Sequence, residues 1–445
     1  MGSPDGSMPR LLPENTWRAD AALRALLGSW LRPETLAWAE PELIDMGRAA
    51  VNELQAWGDA CERQPALLRQ FDGWGNRVDE VLYPPAWREL AYLCPVAMTD
   101  GAARVLADYE GGPAAKDALR HLISRDPASA WTSGQWMTER QGGSDVGLNA
   151  VVARRDGDHS NVGCEIALAL ARPEQAPPGT RGLALFLVPR DHPDGRRNDY
   201  RIDRLKDKLG TRAMATGEVT LDGASAELVG EAERGFAQMT AMLNITRLHN
   251  AVTAAAIMRR AVMLASAYAA HREAFGRKLD QHPLHQEILR AMTAQADGAL
   301  HLTMRMAQLL GRIETKEATS GEAAVFRLGI ALTKLYTAKQ AVAVVSEALE
   351  CFGGQGYMED TGLPRLFRDA QVLPIWEGTT SVLALDSLRV LRRAETLDCL
   401  SAELERLDAP DRRRVLDEAH QAIRGDPNPL SGRHGGWRSG WQRPG

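Results

Sequence analysis

"GLALFLVP", residues 182–189, reads as a buried β-strand: a short, unbroken apolar run stopped by Pro189, which has no N–H to continue a ladder. Working outward from it, residues Trp131 to Val229 alternate short β-prone runs with Gly, Pro and Asp punctuation. "GEVTLDG" (217–223) alternates in and out and ends at Asp222-Gly223, a turn signal. On both sides of this stretch the period changes to that of a helix. Upstream, "AEPELIDMGRAAVNELQAWGDACE" puts Leu43, Met46, Ala50, Leu54 and Trp57 on one face. Downstream of Glu233 the helices lengthen. "RLHNAVTAAAIMRRAVMLASAYAAHREAF" repeats Leu248, Val252, Ala255, Met258, Val262 and Ala265 at three or four. A second helix covers "HPLHQEILRAMTAQADGALHLTMRMAQLLGRI", and a third ends at Gly353-Gly354, a C-terminal stop. A fourth starts near Thr379 or Thr380 and runs through "SVLALDSLRVLRR".

The order is helical, then β, then helical. It is not the alternation of a doubly wound sheet, and the fold class is α+β. The expected division is an N-terminal helical domain over 15–130, a β-domain over 131–230, a helical bundle over 231–395, and mostly tail over 396–445. Disorder is expected near the end, where "RGDPNPLSGRHGGWRSGWQRPG" has no period.

Composition excludes several classes. With 44% hydrophobic and 25% charged residues the chain can bury a sizeable core, and a net charge of −5 gives no broad positive field for nucleic acid. The five cysteines are odd in number and widely spaced, which points to free thiols in a reducing compartment. No apolar run is long enough to span a bilayer, and the N-terminal residues carry no apolar signal core or Arg-rich amphipathic stretch. The expectation is a cytoplasmic or mitochondrial protein. His282 and His285 flank Pro283 and are not read as a metal pair.

Four stretches can carry chemistry, each with a plainer reading beside it. "QWMTERQGGSD" (135–145) offers glycines and Ser144 to a phosphate, or is a connecting loop. "HREAFGRKL" (271–279) puts Arg272 and Phe275 one helical turn apart before Gly276: a pyrophosphate partner with an aromatic cover, or an arginine at a helix end. "ECFGGQGYMED" (350–360) follows a helix rather than a strand, so it is a helix-ending turn able to touch a ligand with its backbone. "LPIWEGTTS" (373–381) sets Glu377 between apolar residues and hydroxyls, as a base in an apolar cleft or as an acid near a helix N-terminus.

In order along the chain, "MTERQGGSD", "RLKDKLGTRAMATGEVTLDG", "HREAFGRKL", "FGGQGYMED" and "RDAQVLPIWEGTTSVLALDSLRVL" resemble the acyl-CoA dehydrogenase family over roughly residues 90–395. "RLKDKLGTRA" and "IWEGTT" are most similar to its AidB-like branch. The resemblance implies an N-terminal helical domain, a middle β-domain and a C-terminal four-helix bundle. It also implies one FAD per subunit, a homotetramer built as a dimer of dimers, an acyl-CoA substrate and an electron-accepting flavoprotein. It matches Met137 and Thr138 to flavin-ring contacts, and Ser144 to a position near flavin and acyl-CoA. Arg272 and Phe275 match a pair that reaches the neighbouring subunit's FAD; Glu350, Gly353 and Gly354 match the adenosine half, again across subunits. Glu377 matches the base, Gly378 its neighbour at the thioester, Thr379 and Ser381 further FAD contacts, and Arg247 an arginine beside the substrate channel. Some members carry the base on an earlier helix, at the position of Thr246, which cannot serve. In the implied chemistry the base removes a thioester α-proton. The β-hydride passes to flavin N5, and the base's N–H with a ribityl hydroxyl of FAD holds the developing enolate.

The chain departs from the family pattern in three places. "DGDHSNVGCEIALALARPEQ" leaves out a flavin-facing strand, which is expected to expose a flavin face and a sheet edge. "YPPAWRELAYLCPVAMTDGA" shortens the helical segment that helps form the acyl pocket. Pro283 and Asn244 replace the usual Gln and Asp. The expectation is a shortened version of the family chain, either an acyl-CoA dehydrogenase or a non-catalytic flavoprotein of the same fold. Nucleic-acid binding would rest on the small basic tail over 423–445 alone.

Overall fold

The computed structural model describes residues 14–30, 33–49, 90–124, 126, 128–139, 143–154, 164–212, 214 and 216–424. Three helices come first: α1 (Thr16–Ala19), α2 (Ala21–Trp30) and α3 (Pro33–Ala49). Asp20, just ahead of α2, pairs with Arg259 far along the chain, and Arg259 also pairs with Asp297. Leu43 and Met46 fall in α3, Leu43 half-buried; Ala50, Leu54 and Trp57 lie outside the described residues. Helices α4 (Leu90–Asp108) and α5 (Pro113–Leu122) lead into the strands. Pro113 begins α5, where its missing N–H would have had no helical partner. The next two N–H groups donate to the Glu227 carboxylate at 3.1 and 2.8 Å.

The sheet is built from β1 (Ser133–Trp136), β2 (Val152–Ala153), β3 (Ile166–Pro173), β4 (Ala184–Pro189) and, after a separate ribbon, β7 (Glu227–Val229). β3 and β4 pair antiparallel from Ile166↔Pro189 to Ala171↔Ala184. β7 runs antiparallel on β4, while β1 and β2 lie parallel to successive parts of β3. Most of β3 is buried on both faces, as an unbroken apolar run requires. Residues 155–163, which bear on the shortened strand region, lie outside the described residues. The ribbon is β5 (Tyr200–Leu205) with β6 (Gly217–Leu221). The in-and-out pattern expected for 217–221 is not seen: every β6 residue is half-buried, because this ribbon pairs only with itself.

Beyond the strands come α6 (Gly235–His271), the hairpin β8 (Glu273–Ala274) and β9 (Arg277–Lys278), α7 (Pro283–Glu314) and α8 (Ser320–Cys351). Then follow α9 (Leu363–Ala370) and α10 (Thr380–Leu391). Helix α6 is buried around most of its circumference, so it is the central rod rather than a surface helix. Its small residues Ala254, Ala261 and Ala265 meet Ala296, Ala299, Ala338 and Ala341 of α7 and α8, and close approach of backbones follows. A second core joins the inner face of the sheet (Ile166, Leu168, Leu185, Leu187) to α4, α5 and the first turns of α6. Helix α8 starts with a reciprocal cap, Thr319 with Glu322, braced by Arg312 at 3.0 Å.

From residue 396, where mostly tail was expected, the chain forms two more helices, α11 (Ala394–Arg406) and α12 (Arg412–Arg424). Leu397, Leu400 and Ile423 pack on Leu328, Val390 and Leu391. Arg305 grips Glu403 at 2.8 and 3.2 Å. Burial alone would raise the Glu403 carboxyl, but hydrogen bonds from Arg406 and Arg305 bring it down to about 2. Residues 425–445 lie outside the described residues.

Candidate active site

The turn that carries Glu377 hangs between α9 and α10. At the end of α9, the buried Asp369 accepts the Thr211 N–H at 2.5 Å, which pins the 206–216 loop to this helix. The chain then winds through 371–378, with Ile375 and Trp376 both donating to the Val372 carbonyl. Glu377 (φ 57°) and Gly378 (φ 104°) reverse it in the left-handed region, which bulky residues avoid. Thr379 occupies the N-cap position of α10 with an extended backbone, as the sequence suggested, but its side chain makes no capping hydrogen bond.

Side chains from α6 and α8 hold this turn. Asn250 donates to the Leu373 carbonyl (3.2 Å) and Arg247 Nε to the Glu377 carbonyl (3.3 Å). Lys334 Nζ donates to the Gly378 carbonyl at 2.7 Å. Thr246 Oγ1 donates to Glu377 Oε2 at 2.6 Å. Glu377 is half-buried as a residue, yet its carboxylate points inward at these groups. Burial pushes the Glu377 carboxyl above the ordinary carboxylate range, opposed first by the Thr246 hydrogen bond and then by Arg247 and Lys334. Behind the turn, Asp386 is shared by Arg247 (3.1 Å) and Arg327 (2.7 and 3.2 Å). Burial would raise Asp386, but these two guanidinia hold it low. The cavity in front of the Glu377 carboxylate is lined by Cys94 and Met98 of α4, Thr246, His249 and Thr253 of α6, and Leu373 and Trp376 of the turn. Burial, and then the nearby Glu377, push the Cys94 thiol up to about 12, so it stays a thiol.

Arg272, Glu350 and Gly353 come together in a second cleft of about 320 Å³, with Tyr268, His285 and Phe352. Tyr268 stacks on Phe352 at 4.2 Å. Gly353 (φ 58°) ends α8 and leaves its backbone open; Gly354 follows it, exposed. His285 Nε2 is buried with no hydrogen-bond partner among the described residues, an orphaned polar atom at the cleft wall. Arg272, the orphaned ring nitrogen and the exposed Gly353 backbone are donors of the kind that hold a polyphosphate nucleotide such as FAD, whose hydroxyls rather than phosphates would have to face the two carboxylates of the cleft, Glu347 and Glu350. The expected helical turn between Arg272 and Phe275 is instead the hairpin β8–β9, since Phe275 (φ 52°) and Gly276 (φ 79°) both take left-handed backbone. Phe275 does not line this cleft. It stands 97% exposed at the hairpin tip.

The third group sits just past β1. Met137 is half-buried, and its carbonyl accepts from Asn149 Nδ2 at 3.0 Å. Thr138 is exposed and packs over Gly143, where no Cβ would fit. Ser144 is exposed beside them, and Thr379 and Ser381 are exposed at the start of α10. Gly142 lies outside the described residues. The sequence reading missed Lys334, 0% exposed in α8, and the pair Asp386–Arg327. A signal for Lys334 was present: a lone lysine on the apolar stripe Ile330, Ala331, Ala338, Ala341.

Comparison with known proteins finds relatives over most of the chain. Residues 233–391 match the family described as acyl-CoA dehydrogenase, C-terminal domain. Residues 7–92 match the adaptive response protein AidB N-terminal domain. Acyl-CoA dehydrogenase family member 11 of Caenorhabditis elegans is 39% identical over 88% of this chain and 70% of its own length. The putative acyl-CoA dehydrogenase AidB of Escherichia coli (strain K12) is 34% identical over 85% of this chain and 79% of its own. The crystal structure of Caenorhabditis elegans ACDH-11 in complex with C11-CoA is similar with a TM-score of 0.82 and 36% identity, covering 95% of this chain and 82% of that one.

Proposed function

Because this chain belongs to the acyl-CoA dehydrogenase family, a family of oxidoreductases acting on acyl-CoA, we propose that it dehydrogenates an acyl-CoA thioester at the α,β bond, with Glu377 as base and FAD as cofactor. The observation that carries this reading is the Glu377 carboxylate, buried against Thr246 at the wall of the cavity between α4, α6 and the 371–378 turn. A carboxylate in water is too weak a base for a thioester α-proton. Burial raises its basicity, and Thr246 keeps it aimed. The Glu377 N–H donates to no described acceptor, so it is available to the thioester oxygen as negative charge develops there. Arg247 and Lys334 hold the two carbonyls that follow that N–H, those of Glu377 and Gly378, and so brace the turn that carries it.

FAD, when bound, supplies the acceptor for the β-hydride. On this reading Met137, Thr138, Ser144, Thr379 and Ser381 face the flavin, and Arg272, Phe275, Glu350, Gly353 and Gly354 face its pyrophosphate and adenosine half. An exposed phenylalanine on a strained turn, outside the cleft of its own subunit, favours a homo-oligomer in which that ring completes a neighbour's site. An electron-accepting flavoprotein would reoxidise the cofactor. Since ACDH-11 was crystallised with C11-CoA, a C11 acyl-CoA is the first substrate to offer.

The test starts from the visible spectrum of the purified, desalted chain. A flavin spectrum near one FAD per subunit, bleached anaerobically by C11-CoA, is expected. Glu377→Gln should keep the colour and bleach ~10³-fold more slowly. A colourless protein that takes up no added FAD overturns the reading. A coloured protein that no acyl-CoA bleaches makes it a non-catalytic flavoprotein of the same fold.

A further inference from the structure

Lys334 is a fully buried lysine, 0% exposed, on the apolar face of α8. Burying an ammonium is costly unless a counter-charge and hydrogen bonds meet it. Its hydrogen bond to the Gly378 carbonyl could be made by a neutral donor at far lower cost. The charges around it explain why a cation stands there. Arg247 of α6 and Arg327 of α8 already divide Asp386 of α10 between them. The group facing from α4, Cys94, is an uncharged thiol. Asp369, in the same cavity wall, pairs with Arg365, and Glu377, which already takes the Thr246 hydrogen bond and faces Arg247, stands one residue from the carbonyl that Lys334 holds. Burial, countered by Glu377 and reinforced by Arg247, pushes the Lys334 ammonium down to about 7.

We propose that Lys334 is the positioning residue of the base: bound to the Gly378 carbonyl, it fixes the left-handed turn that aims Glu377, and its charge keeps the Glu377 carboxylate ionised inside the cavity. A hydrogen-bonding role and an electrostatic role are separable. Lys334→Arg keeps the charge, Lys334→Gln keeps a donor without charge, and Lys334→Met keeps neither. This inference rests on Glu377 as the base, but its decisive readout does not need turnover.

The experiment is a pH titration of the Glu377 carboxyl carbon by 13C NMR in the full chain, assigned by its loss in Glu377→Gln. In Lys334→Met and Lys334→Gln the Glu377 midpoint should rise by about one unit or more. The acid limb of kcat/KM should move with it, a ~tenfold loss at a fixed pH on that limb. Lys334→Arg should restore most of both. An unchanged Glu377 midpoint in folded Lys334→Met, or full restoration by Lys334→Gln, overturns the electrostatic role. Where neither neutral variant folds, the midpoint of the Lys334 side-chain resonance in the unmutated chain decides. It must move to lower pH in Glu377→Gln, and a resonance indifferent to that change overturns the proposal. Absence of acyl-CoA turnover in the unmutated chain would sink the proposed function and leave the titration result standing.

Discussion

Glu377-Gly378 and Phe275-Gly276 are both turns in which a large side chain takes left-handed backbone ahead of a glycine with positive φ, at 57° and 104° in one and 52° and 79° in the other. Such backbone costs a non-glycine residue about 1–2 kcal/mol. The two turns differ in what offsets that cost. Around Glu377, Thr246, Arg247 and Lys334 bind the carboxylate, its own carbonyl and the next one. Around Phe275 the hairpin closes through β8–β9 and the ring meets His282 edge-on at 6.3 Å, but 97% of the residue is open to solvent. A turn of that type favours Asn-Gly. Within its own subunit the ring meets little beyond His282, and on the proposed reading a neighbour's cofactor supplies the compensation. A strained turn held by buried side chains is thus set apart from one left exposed at a hairpin tip.

The largest effect is expected from breaking the inner turn at its glycine. In Gly378→Ala the new Cβ would sit 3.2 Å from Leu383 Cδ2, on a backbone that alanine does not adopt. The variant should lose about 1–3 kcal/mol of stability and, because the base is displaced, ~100-fold in turnover. Melting and acyl-CoA reduction read both. Normal turnover would mean that the turn does not aim Glu377.

Thr246→Val is a gentler change to the same region. The Thr246 hydrogen bond favours ionised Glu377, so its removal raises that carboxyl further. On the proposed reading Glu377 works as a base only when ionised, so activity is lost as pH falls through its midpoint. That loss should therefore begin at higher pH in the variant, with up to ~tenfold lower kcat/KM on the acid limb and little change on the plateau. An acid limb that stays in place would show the 2.6 Å contact to be structural only.

The smallest effect is expected at the outer turn. Phe275→Asn should raise the stability of the FAD-free chain by ~0.5–1 kcal/mol, since asparagine suits the hairpin, while weakening retention of FAD in the assembled protein. If stability falls instead, the ring does pack within its own subunit and the contrast between the turns fails.

Much of the fold was legible because it depends on local period. The β4 run ends at Pro189, α6 carries its apolar repeat through Ala265, and α8 closes ahead of Gly353. Legible too was Glu377 in an apolar setting before the Thr379 N-cap position. The helices at 394–424 were not, because they are anchored by Arg305–Glu403, 98 residues apart, and by Leu397 and Leu400 against Leu328. The 273–278 hairpin was hidden because Phe275 is a poor residue for the turn it occupies.

The sequence by itself determined which residues could do chemistry: a carboxylate among apolar neighbours, an arginine and glycines at helix ends, a serine after two glycines. Their local patterns are short-range consequences of side-chain type. Only the tertiary structure decided what those groups meet. Thr246 and Glu377 are 131 residues apart and Lys334 and Gly378 are 44 apart, so no local pattern records either contact. The strength of a buried base is set by burial and by the charges packed against it, and both exist only once α6, α8 and the 371–378 turn have closed around Glu377.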